Sequence, residues 1–177
     1  MRNERNDGVV TRQGNPWSPA GVDKLYKYLK MNFWEEFTEE KKAAIKRAIE
    51  VAEMQTSGEI RVHIEDHCKK NVFDRAVDIF ARLKMHKTAL RTGILFYTVV
   101  ADRKFVVIGD AGINKEVPED FWNHIRERVL SFFKEDQITE GLMEGIRMAG
   151  EQLAACFPRQ EGDVNELSNE ISYGETE

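Results

Sequence analysis

Residues 94–100 form an almost unbroken apolar run, and only residues 101–104 separate it from a second run at 105–108. A strand that is apolar on both sides must be covered on both faces, which suits the interior of a layered sheet. Asp102 and Arg103 between the two runs read as a tight turn, so these strands should pair antiparallel. Upstream, residues 59–65 alternate: Ile60, Val62 and Ile64 fall on one side, and Arg61, His63 and Glu65 on the other. That period reads as a half-exposed strand near a sheet edge. A helical pattern at 73–85 lies between the first two strands, with Phe73, Ala76, Val77, Phe80 and Leu83 as its apolar face. Strand, helix and strand imply a parallel pair joined by a right-handed crossover. The expected fold class is therefore α/β, a small mixed β-sheet with a parallel pair plus an antiparallel hairpin strand, layered between helices.

Further helices frame this unit. Ser18 and Pro19 suit a helix start, and Val22, Leu25, Leu29 and Phe33 then share one face. Thr38 opens the next helix, with Glu39 and Glu40 in its first turn and Ile45, Ala48, Ile49 and Ala52 as its inward stripe. Two more are read at 119–133, with Phe121, Trp122, Ile125 and Val129 inward, and at 139–157, with Leu142, Ile146, Ala149 and Leu153 inward. The expected division is an N-terminal extension at 1–35 with one amphipathic helix, an α/β domain at 36–158, and an acidic disordered tail at 159–177.

Charge supports that last assignment. The chain has a formal net charge of -5, and the tail carries six acids against Arg159, so residues 1–158 are formally neutral. That balance gives no electrostatic footprint for nucleic acid. The longest apolar stretch, 93–101, is far shorter than the ~20 residues that span a bilayer, so no transmembrane segment is expected. The N-terminus lacks the apolar core of a signal peptide, and the protein reads as cytoplasmic. Cys68 and Cys156 stand far apart and read as free thiols.

Four segments carry a resemblance. "TSGEIRVHIE", "RTGILFYTVVADRKFVVIGDAGI", the "DFW" that opens a helix, and "EGLMEGIRMAGEQL" together resemble the TPM domain over roughly residues 36–158. That family includes a thylakoid-lumen protein of photosystem II repair and many bacterial proteins, often with a signal peptide and membrane anchor. The resemblance implies an α/β layered fold. It also implies two possible roles: accessory factor for a membrane-associated complex, or acid phosphatase with divalent-cation binding, as assigned to a plant member.

Topology sorts the polar residues into two ends of the sheet. At one end lie His63, Glu65, Asp66, His67, Cys68 and Asp102, which include zinc-ligand types. His63 and Glu65 share a strand face that Asp66 need not share, so a solvated strand end is the competing reading. At the other end lie Glu59, Asp110 and Asp120, hard oxygen donors of the kind Ca2+ or Mg2+ takes. His86, Arg91, Gly109, Gly112 and Asn114 join them as candidate ligand-binding residues. Arg91 could pair with a carboxylate or hold a phosphate. Gly109 and Gly112 would let backbone approach a ligand, or simply shape turns. No Gly-x-Ser-x-Gly, Walker loop or dinucleotide fingerprint is present. The leading reading is a non-catalytic accessory or binding domain for a protein partner, with a divalent cation as the possible ligand. The alternative is a weak metal-assisted acid phosphatase.

Overall fold

The computed structural model describes residues 37–174. The N-terminal extension at 1–35, with its expected amphipathic helix, lies outside them. Helix α1 (Glu39–Glu53) begins where expected: the Thr38 hydroxyl accepts from the Lys41 N–H at 3.3 Å, and Glu39 and Glu40 complement the helix dipole. Strand β1 (Glu59–Glu65) leads through α2 (Val72–Arg82) and a short 3-10 turn (Met85–Lys87) into β2 (Gly93–Val99). Strand β3 (Lys104–Gly109) folds back directly. A one-turn helix α3 (Ala111–Asn114), then α4 (Phe121–Lys134) and α5 (Ile138–Cys156), complete the layers.

The sheet has the order β3-β2-β1-β4, where β4 is Ser172–Tyr173. Strands β1 and β2 run parallel, with Glu59 opposite Gly93 and Glu65 opposite Val99. Strands β2 and β3 run antiparallel, with Ile94 opposite Gly109. This is the mixed α/β sheet expected from the strand periods.

The alternation of side chains then builds two cores. Ile60, Val62, Ile64, Ile94 and Phe96 face one side and pack with Ile45, Ile49, Ile125, Val129, Leu142, Ile146 and Leu153 from α1, α4 and α5. Leu95, Tyr97 and Val99 face the other and pack with Ala76 and Ile79 of α2 and with Met85.

Three expectations are corrected. First, β1 lies near the sheet edge as expected, flanked only by the two-residue β4, but it is not half-exposed: His63 and Glu65 on its polar face are each only 6% exposed. Second, residues 159–174 are not a free tail but pack along β1. Leu167, Ile171 and Tyr173 give them apolar contact with both cores, and β4 pairs in parallel with His63 and Ile64. Short apolar anchors supply contact that the acidic composition conceals. Third, α2 turns Ala76 and Ile79 inward and leaves Phe73 and Val77 exposed. With this rotation Arg75 reaches across to the buried Glu65.

Candidate functional site

Asp110 is the residue around which the expected site is organised. It follows β3 directly and caps α3, its Oδ1 accepting the Ala111 N–H at 2.8 Å. Its carboxylate also receives both arms of the Arg91 guanidinium, from Nε at 2.6 Å and Nη2 at 2.7 Å. Such a planar fork is the strong form of an ion pair. Burial pushes the Asp110 acid up, but Arg91 and the Ala111 N–H outweigh it and hold the acid below its ordinary value. His86 is exposed on the neighbouring 3-10 turn and adds to the same positive field.

Arg91 sits in the left-handed region at φ 57°, uncommon for a residue with a side chain. Its backbone is fixed by α3: the Gly112 N–H donates to the Arg91 carbonyl at 2.8 Å. A Cβ on Gly112 would lie 2.1 Å from the Leu90 carbonyl oxygen, so glycine is required by a close internal approach. Gly109 is explained similarly, since a Cβ there would meet the Trp122 ring at 2.2 Å. Asn114 ties these parts together. Its amide nitrogen donates to the Gly109 carbonyl, and its oxygen accepts from Trp122 Nε1, both at 2.8 Å. The two glycines and Asn114 are thus the framework of the corner rather than its contact surface. What the corner presents outward is His86, Lys87, Leu90 at 51% exposure and the Arg91 side chain at 49%.

The three carboxylates expected to share a cation have separate partners. Asp110 is held by Arg91. Glu59 accepts the backbone N–H groups of Glu166 at 2.8 Å and Leu167 at 3.2 Å. Asp120 is exposed and lies 3.4 Å from His124 on its own helix. Among the described residues, no group of three or more His, Cys, Asp or Glu side chains could hold a metal ion. The carboxylates present therefore do not fit one calcium or magnesium site.

Two further clusters involve residues that sequence reasoning did not bring together. Glu53, from the end of α1, turns its Oε1 to the Ile60 N–H at 2.8 Å. It lines a cleft of about 180 Å³ with Glu50, Glu59, Arg159, Asp163 and Asn169. Burial, with repulsion from Glu59, raises the Glu53 acid to about 7 despite the Ile60 hydrogen bond. Burial also raises Glu59 above its ordinary value.

At the opposite end of β1, Glu65 accepts from Arg75 at 2.5 and 3.0 Å, from the Tyr97 hydroxyl at 2.5 Å, and lies 3.4 Å from His63 Nε2. Burial acts upward on this acid too, but the bonds from His63, Arg75 and Tyr97 prevail and hold it at about 2. His63 Nδ1 meets the Ser172 hydroxyl at 2.8 Å. The strand period had already put His63 and Glu65 on one face, and the parallel register adds Tyr97 by setting it beside His63. His67 stands apart, near Asp66 and Asp102 at 3.8 and 3.6 Å, and Cys68 donates to the Lys70 carbonyl.

The comparisons agree with this architecture. The TPM domain family matches residues 34–152. The NMR structure of BA42 protein from the psychrophilic bacterium Bizionia argentinensis is similar at 47% sequence identity and a TM-score of 0.74. That likeness covers 78% of this chain and 95% of the other. The solution structure of the N-terminal domain of a P. gingivalis protein, at 15% identity and a TM-score of 0.57, shares the fold over 68% of this chain and 78% of its own. No curated protein matches the chain. No helix among the described residues is long and apolar enough to cross a membrane. With a family match over most of its length and a solved relative at nearly half identity, the chain belongs to the TPM domain family.

Proposed function

We propose that this TPM domain is a non-catalytic binding module that engages a protein partner through the corner around Arg91. The observation that carries the reading is that the acids nominated for chemistry already have partners within the chain. Asp110 is bound by Arg91 and the Ala111 N–H, Glu59 by two backbone amides, and Glu65 by Arg75 and Tyr97. A carboxylate held in an ion pair below its ordinary pKa is a poor proton acceptor near neutrality. The outward side of the corner supports recognition instead. Leu90 and the half-exposed Arg91 stand on a turn that Asp110 and Gly112 hold rigid, so little order must be gained on binding. A basic group beside an aliphatic one suits a partner surface that carries a carboxylate next to an apolar side chain.

The test has two arms. Purified protein is assayed for phosphomonoester hydrolysis with added Ca2+ or Mg2+, and the same protein is titrated with an acidic peptide while amide NMR signals are followed. We expect no turnover, with peptide-induced shifts centred on residues 86–93 that Arg91→Ala removes. Robust metal-dependent turnover lost in Asp110→Asn would promote the phosphatase alternative and end the binding-module reading.

A further inference from the structure

Strand β1 has an outer edge, and the chain closes it with improvised pieces. The Ile60 N–H is taken by the Glu53 side chain. The Val62 carbonyl receives the Ser172 hydroxyl at 3.3 Å, and the Ile64 carbonyl receives the Gly174 N–H at 3.0 Å. Strand β1 runs from Glu59 to Glu65, yet only His63 and Ile64 have β4 partners. An edge left this way is a template for another strand, and proteins commonly block such edges with short or charged segments.

The segment that blocks it, residues 159–174, is held at separate points. Arg159 donates to the Glu53 carbonyl at 3.1 Å, the Glu166 and Leu167 amides meet Glu59, and Lys46 pairs with Glu170. Leu167, Ile171 and Tyr173 are only partly buried against the two cores. Asp163 and Glu166 are laid beside Glu53 and Glu59, so like charges oppose part of this grip. The family match ends at residue 152, before this segment begins.

We propose that residues 159–174 are a displaceable strap on the β1 edge, and that the edge takes an extended segment of a protein partner in parallel pairing. The seated strap defines the chemistry of that segment. It carries an aliphatic residue followed two positions later by an aromatic one, as Ile171 and Tyr173 do, and it offers two successive backbone amides to the Glu59 carboxylate. Its advantage over the strap is a longer ladder along the same edge, the source of affinity in strand addition. The inference rests on the reading of the chain as a binding module and adds a second contact surface to it.

The probe is a fluorescein-labelled peptide of residues 159–177, offered to the full chain in a background with Cys68→Ser and Cys156→Ser. Ile171→Ala, which removes an apolar anchor from the tethered strap but not from the peptide, should bind the peptide at least 10-fold more tightly than its parent. Residues 63 and 172 are paired across the ladder, at a spacing of about 4.7–4.9 Å that a disulfide can bridge. In His63→Cys/Ser172→Cys, the oxidised protein should refuse the peptide and the reduced protein should accept it. Equal binding to both forms, or binding to neither form and none to Ile171→Ala, overturns the proposal.

Native full chain gives a check that needs no substitution. Amides of Glu166, Leu167 and Gly174 should exchange with solvent at least 100-fold faster than those of Ile94 and Phe96, and equal protection would count against a displaceable strap. Concentration-dependent dimerisation by tail exchange would assign the edge to a second copy and overturn the assignment to a different protein. Phosphomonoester turnover would end the binding-module reading without altering peptide exchange, so the two failures are distinct.

Discussion

Glu53 and Glu65 bracket the same strand and are equally buried, at 7% and 6% exposure, yet their acids move in opposite directions. Glu65 is held at about 2 and Glu53 is raised to about 7. Burial raises both, so depth alone does not set the charge. The difference is the supply of donors. Glu65 has a guanidinium and a hydroxyl aimed at it, with His63 alongside, whereas Glu53 has the Ile60 amide, an Asn169 side-chain bond and a weaker pull from Arg159, set against a neighbouring carboxylate. One end of β1 is thus locked by a compensated ion pair. The other holds acids that resist ionisation, and the strap crosses both ends.

The two ends also give opposite dependences on pH. A glutamate of ordinary value 4.5 that falls to about 2 in the fold binds fewer protons folded than unfolded between those values. The stability it contributes is present above pH 4.5 and is lost as the pH falls toward 2. Glu53 binds more protons folded than unfolded between 4.5 and about 7. Its cost is absent below pH 4.5 and grows as the pH rises through 7. The contribution of these two acids is therefore greatest near pH 4.5.

The largest effect expected is from Arg75→Ala, which strands the Glu65 charge and should cost about 3 kcal/mol at pH 7 in denaturant unfolding. A loss under about 0.5 kcal/mol would break the comparison at its locked end. Glu53→Gln should act in the other direction. It should stabilise the protein by about 2 kcal/mol at pH 8, less than the whole shift would give because the cleft is open to solvent, and be neutral at pH 4.5. Tyr97→Phe removes one donor to Glu65 and should cost about 1.5 kcal/mol, with the Glu65 acid rising from about 2. Cutting the chain after Pro158 should cost only about 1 kcal/mol, since freeing the strap regains much of its conformational entropy. That cut should also remove most of the pH dependence assigned to Glu53.

The strand pairing was legible because each element carries its own period. Residues 59–65 alternate, residues 94–100 are apolar throughout, and the turn at Asp102 and Arg103 is short. The Thr38 cap and the inward stripe of α5 were legible for the same local reason. The strap was not, because Leu167, Ile171 and Tyr173 are scattered through acids and their contacts lie about 100 residues upstream. Missing the strap also left the polar face of β1 reading as half-exposed, when His63 and Glu65 are buried. Asp110 and Arg91 were both named as site residues, but their pairing depends on α3, a single turn with too few residues to show a period.

The most direct test is a carboxyl-carbon NMR titration of Glu53 and Glu65 in the full chain. The account expects Glu53 to titrate near 7 and Glu65 near 2. Both acids titrating together near 4.5 would contradict it, because the two ends of β1 would then be alike.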